Sequence, residues 1–195
     1  MKNIKKLLRV SALLLGICII IPLLVFTVSA EKPAFISASE NVVSDEQIVQ
    51  FSNESNEQYD KLTAYWGDKF PSYYGGAYIA NQEFNILVTC DPSSVQDEIW
   101  KVAGNNKIII KQVTYSYDYL VSVKDEIVSK ISKLSEEGNE KAKQMIGFGV
   151  DEISNNIFVE YLDDGKVAID TADIYDITGY RDLVSIVPKK EAYTP

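Results

Sequence analysis

The 195-residue chain carries 19 basic and 28 acidic residues, a formal charge of −9, and no histidine. An acidic surface repels phosphate backbones and anionic lipid, which argues against a nucleic-acid or membrane-surface role. The missing imidazole removes every Ser-His-Asp and Cys-His mechanism, and the single cysteine beyond residue 30, Cys90, cannot form the internal disulfide of a stapled scaffold.

Residues 1–30 read as a secretory signal. Lys2, Lys5, Lys6 and Arg9 precede an apolar run of 19 residues, 10–28, which ends in the small residues Ser29 and Ala30. The rival reading is an uncleaved anchor, since about 20 apolar residues span a bilayer. Pro22 and the small-residue exit favour cleavage. Bulky Ile17 before Cys18 argues against a lipoprotein cleavage box. Without residues 1–30 the chain holds 15 basic and 28 acidic residues, a charge of −13, and one cysteine, Cys90, which reads as a small buried hydrophobe. The expected location is secreted or cell-surface, with membrane attachment only if the signal stays uncleaved.

Residues 31–69 read as a linker followed by a helical segment. Ser44 and Gln47 have the spacing of a capping box. Ile48, Phe51, Leu62, Tyr65 and Trp66 give an apolar stripe, interrupted by SNESNEQ, that fits one helix or two short ones over 45–66. Asn53-Glu54-Ser55 matches a glycosylation sequon, of little weight in a bacterial host.

Residues 70–116 then form a first ββαβ unit. Two β-type runs, 77–80 and 85–89, flank the polar turn Asn81-Gln82-Glu83. Asp91-Pro92-Ser93-Ser94 starts a helix carrying Val95, Ile99, Trp100 and Ala103, and Gly104 stops it. The next strand is 107–113. Over 117–145 the chain reads as a connecting helix, capped by Asp118, with Leu120, Val121, Ile127, Val128, Ile131 and Leu134 at 3.6-residue spacing. The run 140–143 reads as solvated charge. Residues 146–188 form a second ββαβ unit: strands at 146–151 and 157–162 around a turn at 154–156, a helix-like spacing over 167–177, and a strand at 183–187 ended by Pro188. Residues 189–195 are a tail. Aligning 86–88 with 157–159 gives an internal repeat at an offset of 71. The expectation is an α+β protein: two small ββαβ units with antiparallel sheets, joined by a long helix and preceded by an N-terminal helical segment.

Carboxylates are the remaining chemistry. Asp163 and Asp164 before Gly165, or Asp170, Asp173 and Asp176, offer oxygen ligands, but neither group has the spacing of a calcium loop. Two acids suffice for a glycosidase, yet 28 acids make any pair uninformative. No Ser-x-x-Lys follows the signal, and no phosphate-binding loop is present. No cofactor, metal or catalytic residue is expected, and the chain reads as a non-enzyme.

The order of motifs adds a resemblance. FPSYYGGAYI at 70–79, ILVT at 86–89, IGFGVD at 146–151 and NNIFVE at 155–160 resemble the N-terminal pro-region of secreted chymotrypsin-like bacterial serine proteases, of the alpha-lytic protease and streptogrisin type. The likeness runs from 70 to about 188. It implies a non-catalytic folding helper and inhibitor that pairs a sheet edge with a protease hairpin and lays its C-terminal tail in the active site. Carried onto this chain, the edge falls at 157–162 or 183–187. The implied contacts are Ile157, Val159, Tyr161, Val184 and Ile186, with Ala192, Tyr193, Thr194 and Pro195 in the tail. Such a pro-region is followed by its protease, whereas this sequence stops at Pro195, so the expectation is a module acting in trans on a secreted protease. The alternatives are an extracellular or wall-associated module with Tyr73 and Tyr74 at its contact surface, or the remnant of a protease lacking its catalytic domain.

Overall fold

The computed structural model describes residues 44–190. The signal segment, residues 31–43 and the tail residues Ala192, Tyr193, Thr194 and Pro195 lie outside these. Among the described residues, no helix is long and apolar enough to cross a membrane.

Helix α1, Asp45–Trp66, is one helix of 22 residues. Its start is the expected capping box. The Gln47 N–H donates to the Ser44 Oγ at 3.3 Å, and the Ser44 N–H donates to the Gln47 Oε1 at 3.0 Å. The SNESNEQ interruption does not break it, because the inward stripe passes through that segment at Ser55, which is buried between Phe51 and Tyr59 in sequence. The polar neighbours stay on the solvated face. The sequon at Asn53 therefore sits in mid-helix with its serine buried.

Strands β1, Tyr74–Ala80, and β2, Glu83–Val88, form a hairpin around Asn81 and Gln82. Both turn residues have positive φ, 51° and 59°, as a two-residue turn matching strand twist requires. A 3₁₀ turn, Pro92–Ser94, leads into α2, Gln96–Ala103, and the chain returns as β3, Ile109–Gln112. The sheet order is β1-β2-β3. Because a helix crossover connects β2 to β3, they pair in parallel. The sheet is thus mixed, where antiparallel pairing throughout was expected.

Helix α3, Tyr117–Glu136, is capped by Ser116 rather than Asp118, with the Tyr119 N–H donating to the Ser116 Oγ. The charged run is a short helix, α4, Glu140–Lys143, which buries Ala142. Lys141 reaches across to Asp173, so the run ties two helices together instead of lying free in solvent. Strands β4, Met145–Asp151, and β5, Asn156–Leu162, form the second hairpin. Helix α5, Thr171–Thr178, then leads to β6, Val184–Lys189, parallel to β5. This sheet is also mixed, in the order β4-β5-β6. Pro188 sits inside β6, as an edge strand allows.

The repeat is real, but its register differs from the sequence alignment. Both hairpins carry an irregularity near the start of their first strand, between Tyr74 and Gly76 and between Met145 and Gly147, an offset of 71. The second turn spans four residues where the first spans two, so β5 follows β2 at an offset of 73. Phe84 and Ile86 then match Ile157 and Val159, and all four face their cores.

Each unit has its own core. The first gathers Leu62 of α1, Tyr74 and Ala77 of β1, Ile86 and Val88 of β2, and Ile99 of α2. The second packs Leu120, Val123, Ile127 and Ile131 of α3 against Ile157, Val159, Ile174 and Val184. Tyr117, in the first turn of α3, packs instead into the first core, so this helix joins the units.

Candidate functional site

The edge expected to accept a partner is reshaped by the topology. Strand β5 is central, with β4 on one side and β6 on the other. Ile157 and Val159 are fully buried and Tyr161 packs against the same core, so none of the three presents an edge or a free surface. Their candidacy fails because a strand flanked by two others has both rows of backbone groups committed. The other possibility, β6, is an edge strand. Val184 is buried and Ile186 half-buried against the second core, so both serve β6 from inside while its outer backbone row faces away from β5. Pro188 removes one donor from the strand, and Lys189 pairs with Glu160 at 3.1 Å. Proline and lysine are residues that temper edge pairing. The Asp163 N–H donates to the Lys189 carbonyl at 2.7 Å, fixing the point where the tail departs.

The tyrosine surface divides. Tyr74 is 1% exposed, stacks on Phe70 at 4.4 Å between ring centroids, and packs near Trp66 and Tyr117. Its hydroxyl lies 3.1 Å from that of Tyr59. Burial pushes its pKa well up. It is a core residue, not a contact residue, and Tyr73 is half-buried against the same cluster. Tyr115 and Tyr119 stack at 5.5 Å and line a shallow cleft of about 280 Å³ with Ser72, Thr89, Thr114 and Ser116.

The candidate carboxylates have structural work. Asp170 and Asp173 make the reciprocal capping box of α5, and Asp173 also meets Lys141, whose hydrogen bond is the main reason its pKa is lowered. Asp164 accepts from the Lys166 N–H at 3.0 Å and pairs with its ammonium at 2.8 Å, closing the turn at Gly165. Among the described residues no cluster of three or more potential ligands is placed to hold a metal. Cys90 is half-buried against the first core, 3.5 Å from the Ser94 hydroxyl.

What sequence reading missed is the joint between the units. The β4–β5 turn carries Asn155, buried at positive φ (49°). Its side-chain oxygen accepts from the Tyr115 N–H at 2.8 Å and its amide donates to the Tyr115 carbonyl at 2.9 Å. Glu152, in the same turn, lies over Gly76 of β1 and accepts from the Ala77 backbone N–H. Burial is the main cause of its pKa being pushed up to about 7, and nearby Asp151 adds to it, while the Ala77 hydrogen bond opposes it. The one signal in the sequence was the Gly75-Gly76 pair. A Cβ on Gly75 would lie 2.6 Å from Val113 Cγ2, and one on Gly76 would lie 3.1 Å from Glu152 Cγ.

Residues 42–113 match the family described as "Pro-like N-terminal domain". That segment runs from α1 through β3, and over this stretch the chain is similar to a pro-region-like domain. The match begins earlier than the sequence resemblance at 70, because α1 belongs to it, and it stops before the second unit. No curated protein matches the chain.

Proposed function

We propose that the chain is a secreted, non-catalytic module that binds a chymotrypsin-like protease in trans, as an inhibitor or folding helper. The observation that carries this reading is the family match over residues 42–113. The placement of β6 supports it. An edge strand followed directly by a tail resembles the arrangement by which such pro-regions add a strand to a protease hairpin. The contact set narrows to the outer edge of β6 and the tail, including Ala192, Tyr193, Thr194 and Pro195. Val184 and Ile186 hold the strand in place rather than meeting the partner.

The test mixes the purified chain with secreted chymotrypsin-like proteases of the host. Two readouts are followed: peptide hydrolysis, and recovery of activity from denatured protease. Inhibition or faster refolding is expected, and deleting residues 191–195 weakens it at least tenfold without changing thermal stability. If the protease neither slows nor refolds faster, the proposal fails.

A further inference from the structure

The joint between the units has one property its fold does not require. Around Glu152 the structure assembles a polar contact without a cation among the groups acting on it. From β1, the backbone of Gly76 and Ala77 touches or bonds it, and the Tyr74 phenol faces it. From the first turn of α3 comes the Tyr117 phenol, with Asp118 beside that ring. From its own hairpin comes Asp151. Behind Tyr74, the Tyr59 hydroxyl of α1 closes the hydrogen bond. A neutral carboxyl fits this surround, since its carbonyl oxygen accepts the Ala77 N–H and nothing opposes it. A carboxylate there is desolvated and sits beside a second carboxylate, Asp151, while the phenols of Tyr74 and Tyr117 stay neutral in this pH range.

The contact is also mechanical. Gly76 has φ +128°, and its missing side chain leaves the space that the Glu152 methylenes fill. The Ala77 N–H that Glu152 takes is a donor on an edge strand. Three residues further on, Asn155 holds Tyr115, at the entrance to α3. Glu152 and Asn155 together clip the β4–β5 turn onto the first unit.

We propose that Glu152 is a proton-operated clasp: with its carboxyl protonated the β4–β5 turn stays docked on β1, and ionisation releases it. The sign follows from linkage. A carboxyl that titrates higher in the docked state than in the open one favours docking at low pH, and that preference is lost as pH rises through the docked value, near 7. Below it, from the ordinary carboxyl value of 4.5 up to about 7, the docked population relative to the open one falls by up to tenfold per pH unit, and above about 7 it levels off. In a neutral to mildly acidic range the two units therefore change from a clipped to an unclipped pair.

Amide hydrogen exchange on the full chain, from pH 5.5 to 8.5 and corrected for intrinsic rates, tests this against E152Q. In the wild type, protection at Ala77 and Tyr115 is expected to fall at least tenfold between pH 5.5 and about 7 and to level off above it, while the Ile157 amide, bonded to the Leu183 carbonyl inside the second sheet, keeps its protection. E152Q, which is neutral and nearly the same shape, is expected to hold both sites protected across the range. A wild-type profile that does not change with pH overturns the clasp. So does an equal fall in E152Q, or a simultaneous loss at Ile157, which would mean the whole fold opens instead of the joint.

Discussion

At the scale of single residues, the joint turns on what is missing as much as on what is present. Gly76 occupies a backbone region that side-chain-bearing residues avoid, and it lies beneath Glu152. Gly76→Ala is expected to cost about 1–3 kcal/mol, the usual range for enforcing such a conformation, read as a fall in the urea midpoint. Gly138 separates the two causes: its φ is +90°, yet nothing lies within 4 Å of an added Cβ. Gly138→Ala therefore reports backbone strain alone. The excess at Gly76 reports the Glu152 contact, and it should shrink when Glu152 is also cut back to alanine, because neighbours in contact are not additive. Nothing local in the sequence marks Glu152. It is one acid among 28, and its partner lies 76 positions upstream. The glycine pair was legible as a tight turn into a strand, but what fills the space above it depends on a hairpin in the other unit.

Elements were more legible than contacts, and the reasons differ from one to the next. α1 was half-read because the stripe was sought in apolar letters, and one of its inward positions is Ser55. α3 was placed almost correctly, since Leu120, Ile127 and Ile131 repeat at helical spacing. The weakest expectation, over 167–177, failed at its start: the β-branched residues concealed that Asp170 and Asp173 form a capping box, so the helix begins at Thr171. The same two acids are ones the sequence offers as oxygen ligands for a metal. Asp170→Ala removes the acceptor for the Asp173 N–H, at 2.8 Å, and leaves the reciprocal bond, from the residue-170 backbone N–H to the Asp173 carboxylate, as the only half of the box. It is expected to lower stability by about 1 kcal/mol, read as a drop in thermal midpoint, and adding Ca²⁺ should leave that midpoint unchanged in either form. Strand pairing was the other gap. Periodicity marks a strand but not its neighbours, and only the crossover through α2 or α5 makes the third strand of each sheet parallel and β5 central.

For the whole molecule, the question is whether two cores joined by one helix behave as one cooperative body. The units share few contacts: Tyr117 of α3 packs into the first core and Glu152 of the second hairpin lies over Gly76 of β1, while Asn155 bonds the backbone of Tyr115, whose ring packs on the second core. The family match also ends between them, at residue 113. Such a division favours sub-global opening, in which one unit loosens while the other stays formed. Leu62 is fully buried in the first core and touches none of the second. Leu62→Ala is expected to cost about 2–5 kcal/mol, the loss of a buried leucine plus the cavity it leaves. That cost should fall mainly on the first unit: amides of β1 and β2 exchange faster by two orders of magnitude or more, while those of β5 change by less than tenfold. The reciprocal change, Ile157→Ala, should loosen β4, β5 and β6 and leave β2 protected. A uniform rise in exchange across both sheets in either variant would show instead that α3 and the small joint suffice to couple the units into a single folding body.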